Sequence, residues 1–209
     1  MSQPDYLFEY TINKPKLAEA LYHSLHLDPF YRTMENSVEG GADEKKQAMY
    51  AYYDYSLWEG KNYGRYYWPE QTLYGASIWS IPLSEAEQNE KSRRKLEFIQ
   101  KVMGSQSSKT YQAIGRFMSE KSAQVVPENA WYLSILAISP EYQGQGLGPG
   151  LLETTLSEID AQNLPCYLET FNPRNLSFYQ RLGFELVDSF AEPITQSNYA
   201  LLLRRASEQ

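Results

Sequence analysis

The stretch from Trp131 to Gly148, WYLSILAISPEYQGQGLG, constrains this chain more than any other. It reads as a buried strand, a glycine-rich turn and the start of a helix. Such a junction aims several backbone N–H groups at one point, and the helix dipole stands behind them. A phosphate group is the natural occupant of such a point. Gly144, Gly146, Gly148 and Gly150 allow a ligand to approach the backbone closely. Pro149 falls early in the helix, where its missing N–H costs little. The dinucleotide-binding spacing G-x-G-x-x-G fails at Pro149, and no Gly-Lys-Ser/Thr follows to make a nucleotide phosphate loop. Taken alone, the turn also fits a glycine-rich helix start with no ligand.

At 209 residues, 42% of them hydrophobic, the chain suits one domain with a sizeable core. A net charge of −7 argues against nucleic acid or an anionic membrane as partner. Cys166 is the lone cysteine and His23 and His26 are the two histidines, so no metal site is expected. No apolar run approaches the roughly 18 residues needed to span a bilayer. The opening MSQPDYLFEY lacks the basic and apolar regions of a secretory signal, which makes a cytoplasmic location the default expectation.

Along the chain, Tyr6–Ile12 is expected as a first strand and Lys16–Leu27 as an amphipathic helix broken at Pro29. A tyrosine-rich helix over Ala42–Leu57 precedes strands at Asn62–Trp68 and Thr72–Ile81. Ser84 and Glu87 form a capping-box signature that opens a helix to Met103, and a further helix spans Ser108–Lys121. The charge run NEKSRRK within this 84–121 insertion, between the third and fourth strands, reads as a solvated helix face. The insertion itself could lid a site. Thereafter the expected order is strand 131–138, helix 147–162, strand 165–171, helix 174–182, strand 184–191 and strand 196–204. Strands separated by helices point to an α/β sheet with parallel pairing in this part.

A second patterned block, NPRNLSFYQRLGF, runs from Asn172 to Phe184. Together, Gln143-x-x-Gly146-x-Gly148 after an apolar strand, and Asn172 seven residues before Tyr179 with Gly183-Phe184 following, resemble the GNAT family of N-acetyltransferases. The resemblance covers the last seventy-odd residues closely and is weaker upstream. It implies the GNAT acyl-CoA N-acyltransferase fold, an α/β (α+β) mixed central sheet with helices on both faces. One domain over 1–209 would carry it.

The same resemblance implies acetyl-CoA as cofactor. Its pantetheine arm would lie where the fourth and fifth strands part, against the backbone of Leu136, Ala137 and Ile138 and the side chain of Asn172. Its pyrophosphate would meet the N–H groups of Gln143, Gly144, Gln145, Gly146, Leu147 and Gly148. Asn172 equally fits a cap on the helix that begins near Pro173. Tyr179 is the expected general acid for the departing sulfur. Glu169 is a candidate base, with a water held by Ser134 as the rival. Phe30, Tyr31, Tyr53, Tyr55, Trp58 and Trp79 fall in segments expected to wall the acceptor site, although each also fits plain core packing. Cys166, in an apolar strand, is a poor nucleophile.

The expected reaction is direct transfer of acetyl to the amine of a small molecule. A peptide or protein amino-terminal acetyltransferase and a non-catalytic CoA-binding sensor are the alternatives. The sequence is silent on oligomeric state, and a homodimer is open.

Overall fold

A computed structural model of the chain describes residues 10–206. The expected strand Tyr6–Ile12 lies outside these residues except for its last three, which are irregular. They are nonetheless fastened: buried Asp54 accepts from Tyr10 Oη at 2.9 Å, Asn13 N at 3.0 Å and Lys14 N at 2.7 Å.

Three helices open the described chain: α1 (Pro15–Leu25), α2 (Pro29–Ser37) and α3 (Ala42–Tyr63). Pro29 begins a helix and does not merely end one. Asp28 caps that helix by accepting from Phe30 N, and proline at the first helical position sacrifices no hydrogen bond. Strands β1 (Gly64–Tyr67) and β2 (Gly75–Ser80) come next, followed by α4 (Glu85–Val102) and α5 (Ser105–Ser122). The capping box at α4 forms as expected from Ser84 and Glu87. The last part holds β3 (Trp131–Ile138), α6 (Gly148–Ala161), β4 (Cys166–Thr170), α7 (Leu176–Arg181), β5 (Glu185–Glu192) and β6 (Ser197–Arg204).

The six described strands form one mixed sheet in the order β1-β2-β3-β4-β6-β5. Parallel pairing is confined to β3 with β4, and every other neighbour is antiparallel. Helices cover both faces. On one, α1 to α4 pack over Ala76, Ile78, Ile135 and Ala137. On the other, Leu152, Leu156 and Ile159 of α6 pack on Trp79, Trp131, Leu133, Cys166 and Leu168.

Two irregularities position the site. Ile78 pairs with Ile135 but Trp79 pairs with Leu133, so Ser134 is an extra residue in β3, a β-bulge. The bulge reverses the strand's phase. Trp131 and Leu133 therefore enter the core beneath α6, whereas Ile135 and Ala137 enter the core beneath α1 and α3. Secondly, β3 and β4 pair only from Trp131–Leu133 to Cys166–Leu168, although both strands continue. Beyond that point they diverge, and backbone groups along Ser134–Ile138 face a gap. No described helix is long and apolar enough to cross a membrane.

Candidate active site

The glycine turn lies at the open end of that gap. Gly144 and Gly146 both have φ of +75°, a conformation costly to any residue with a Cβ. Alternating left-handed glycines turn successive amides toward one side, forming a concave anion-binding surface. Among the described residues, no backbone acceptor serves the amides of Gly144, Gln145, Gly146 and Leu147. Gln143 and Gln145 brace the loop from behind, donating from their Nε2 atoms to Ile138 O at 2.8 Å and Glu141 O at 3.0 Å. At Gly148 an added Cβ would stand 2.8 Å from the Phe178 ring, so α7 closes tightly on the first turn of α6. These features fit a pyrophosphate with its pantetheine arm in the gap.

Asn172 uses Oδ1 to accept from Arg174 N at 3.1 Å, which is the capping role. Its exposed side-chain amide nitrogen is still available as a donor.

A cavity of about 590 Å³ lies on the sheet face below α2, α4 and α5. Glu169 and Ser134 line it, as do Phe30 and Tyr31. Ser134, at the bulge, donates from Oγ to Ile78 O at 3.0 Å and keeps its lone pairs free. Glu169 has one oxygen, Oε1, buried with no partner. Burial lifts its pKa to about 7, an effect that the neighbouring Tyr132 hydroxyl partly opposes. A carboxylate poised there can take a proton near neutrality.

Tyr179 lies on α7 and is 6% exposed. Burial first, then the nearby charge of Asp28, hold its phenol protonated well above the ordinary tyrosine range. A donor must carry its proton, so this direction suits a general acid. Cys166 is the reverse case: burial pushes its thiol up to about 12, which removes it as a nucleophile.

Other expected wall residues lie elsewhere. Tyr53 is fully buried in the core with Tyr31 and Tyr52 beside it, and does not line the cavity. Trp58 packs against Tyr55 and Tyr63 with the Arg94 guanidinium over its ring, also away from the cavity. Tyr55 stacks on Phe98 at 4.1 Å and does not line it either. Trp79 borders the cavity but is completely buried in the core beneath α6. In each case the aromatic side chain is spent on packing between helices or against the sheet.

Three groups of the site had no clear sequence signal. Asp28 borders the cavity, and burial raises its carboxyl to about 6 against the opposing hydrogen bonds from Phe30 and Tyr31. Tyr132 and Tyr167 stack at 4.7 Å across β3 and β4 as part of the cavity floor. Lys91 and Lys95, from the charge run, face inward from α4. The helix-cap pattern Asp28-Pro29 and the i, i+4 spacing of the two lysines were the available clues.

Residues 110–186 match the acetyltransferase (GNAT) domain family. N-alpha-acetyltransferase 30 of Schizosaccharomyces pombe is 39% identical over 56 residues, a match covering 25% of this chain and 37% of that protein. The chain thus spans little more than a third of this curated relative's length. A solved structure described as histone acetyltransferase HPA2 and related acetyltransferase, from Corynebacterium glutamicum, superposes with a TM-score of 0.61 at 16% identity, covering 100% of this chain and 95% of that one. Arylalkylamine N-acetyltransferase 2 from Aedes aegypti gives a TM-score of 0.58 at 13% identity, covering 95% and 97% of the two chains. The mixed six-stranded sheet is the GNAT fold, and residues 110–186 within it resemble the GNAT acetyltransferase domain.

Proposed function

We propose that this GNAT-fold chain is an N-acetyltransferase that passes acetyl from acetyl-CoA directly to the amine of a small molecule. The observation that carries this is a juxtaposition along β3 and β4: the turn follows β3, and Ser134, Ile135 and Glu169 of the same two strands line the cavity, while Tyr179 on α7 does not line it. Left-handed glycines with unserved amides stand at one end of β3, and a cavity with an unpartnered carboxylate oxygen of Glu169 lies where β3 and β4 part.

Acetyl-CoA, when bound, supplies the acetyl thioester. The turn from Gln143 to Gly148 would hold its pyrophosphate, with Leu136–Ile138 and the amide nitrogen of Asn172 along the pantetheine arm. Glu169 takes the proton that the acceptor ammonium must lose before its nitrogen can attack. Ser134 orients a water between the two where direct contact is too long. Tyr179 keeps a proton at Oη for the departing sulfur. No residue forms a covalent intermediate, which agrees with the raised thiol of Cys166.

The lining favours a small amine: α4 and α5 border the cavity with Gln88, Lys91, Lys95, Tyr111 and Arg116, and aromatic rings of α2 and the sheet complete it. The structural likeness to an arylalkylamine N-acetyltransferase accords with an amine on a flat frame. Several segments also resemble puromycin N-acetyltransferase: Trp131–Leu133, Leu168–Thr170, Pro173–Phe184 and the Trp79-Ser-Ile-Pro82 run. Puromycin therefore belongs among the acceptors tried.

The matched stretch of N-alpha-acetyltransferase 30 favours a second reading, acetylation of peptide amino termini. Thiol release from acetyl-CoA across a panel of small amines and short peptides separates the two. Turnover confined to peptides would overturn the small-molecule reading, and acetyl-CoA binding without turnover of any acceptor would favour a CoA sensor.

A further inference from the structure

Helix α4 divides its charges by face. Glu90, Arg93, Arg94 and Glu97 pair with one another in solvent. Lys91 and Lys95, one helical turn apart, point the other way into the acceptor cavity. Lys91 Nζ donates to Ser80 Oγ at 2.8 Å. Lys95 is 4% exposed, lies 4.2 Å from the Tyr52 ring centroid and reaches Ser56 Oγ at 3.3 Å and Glu59 Oε2 at 3.5 Å. Glu59 is the carboxylate that meets this pair, so two lysine side chains share one carboxylate. Arg116, exposed on α5, adds a further positive charge at the rim.

Two carboxyl groups also line the cavity. Glu169 sits on β4 and Asp28 precedes α2. The floor is a row across the sheet: Ser80 on β2 pairs with Tyr132 on β3, which pairs with Tyr167 on β4. Two strand spacings make that row roughly 10 Å long. The walls above it are the rings of Phe30, Tyr31, Tyr52 and Tyr111.

We propose that the acceptor carries its amine and a carboxylate at opposite ends of a flat apolar frame, with the carboxylate held by Lys91 and Lys95 and the amine presented to Glu169. This rests on the transferase reading and narrows its substrate class. A bound carboxylate gives the lysine pair the second anion it lacks, and a buried ammonium without an anion beside it is costly. The span excludes an α-amino acid, whose two groups are adjacent. A simple arylalkylamine or polyamine would leave the lysines facing no anion.

The test compares 4-(2-aminoethyl)benzoic acid with 4-(2-aminoethyl)benzamide in wild type, Lys91→Met and the exposed-lysine control Lys101→Met. Wild type and Lys101→Met are expected to prefer the acid by about tenfold or more in kcat/KM, and Lys91→Met to lose the preference. Lys91 is the better target because removing Lys95 would strand Glu59. Binding of 4-ethylbenzoate by calorimetry, with 4-ethylbenzamide as control, reads the same subsite without turnover. Equal use of acid and amide by wild type, or a preference that survives in Lys91→Met, overturns the proposal. Should neither amine be acetylated, the transferase reading fails for this class. The subsite then stands if 4-ethylbenzoate binds wild type and not Lys91→Met, and falls if it binds neither.

Discussion

Glu169 and Tyr179, the proposed base and acid, ask opposite things of burial. A base must be free to lose its proton near neutrality, and an acid must keep its own. Desolvation raises both groups, bringing a carboxyl to about 7 and a phenol well beyond its usual range. Activity should therefore rise with pH through about 7, and Glu169→Gln should abolish that limb in a kcat/KM profile. Stability gives an independent sign. The folded pKa of Glu169 lies above its ordinary 4.5, so this group favours folding below that value and the contribution is lost as pH rises through 7. Glu169→Gln should accordingly be relatively more stable than wild type at pH 8 than at pH 4, measured by urea unfolding. Tyr179→Phe should lower kcat on the order of 10²-fold with little change in melting temperature. Unchanged turnover would remove Tyr179 from the chemistry.

At the scale of elements, the glycine turn is the most exposed to test. Gly146 has open space where a Cβ would go, so Gly146→Ala creates no clash and its penalty is conformational, about 1–2 kcal/mol. The expected result is a raised KM for acetyl-CoA, with kcat at saturation less affected. This element was legible because glycines, a preceding apolar strand and a following helix agree. Others were not. Helix α2 is hidden in the sequence because Pro29 looks like a break, when Asp28-Pro29 is a cap followed by a favoured first residue. The strand expected from Asn62 begins only at Gly64 because α3 runs on to Tyr63, with Asn62 bonded back to Trp58 O at 2.7 Å. In β3 the odd residues Trp131 to Ala137 are all buried, which in sequence looks like one buried face. The bulge at Ser134, invisible in the pattern, splits them between two cores.

For the whole molecule, the two cores on either side of one sheet explain why the site is so poorly readable from sequence. The proposed CoA half is local, a turn and a gap between adjacent strands, so its residues cluster at 134–148 and 172–179. The acceptor half is assembled from α2, α3, α4, α5 and three strands, with distant residues meeting only in the fold. Aromatic residues near Tyr53 and Trp58 looked like walls but pack between helices, whereas a charge run that looked solvated sends two lysines inward. Because the cores share β2 and β3, damage to one should be felt across the sheet. Leu152→Ala, at a fully buried position, should cost about 2–5 kcal/mol and broaden or lower the single unfolding transition without altering which amines are accepted.

The central claim, transfer of acetyl from acetyl-CoA to a small amine, is tested most directly by continuous measurement of free thiol with acetyl-CoA and the amine panel. Wild type should show saturable, amine-dependent release that is about 10²-fold slower in Tyr179→Phe. Thiol release that no amine accelerates, from a protein whose melting temperature acetyl-CoA still raises, would contradict it.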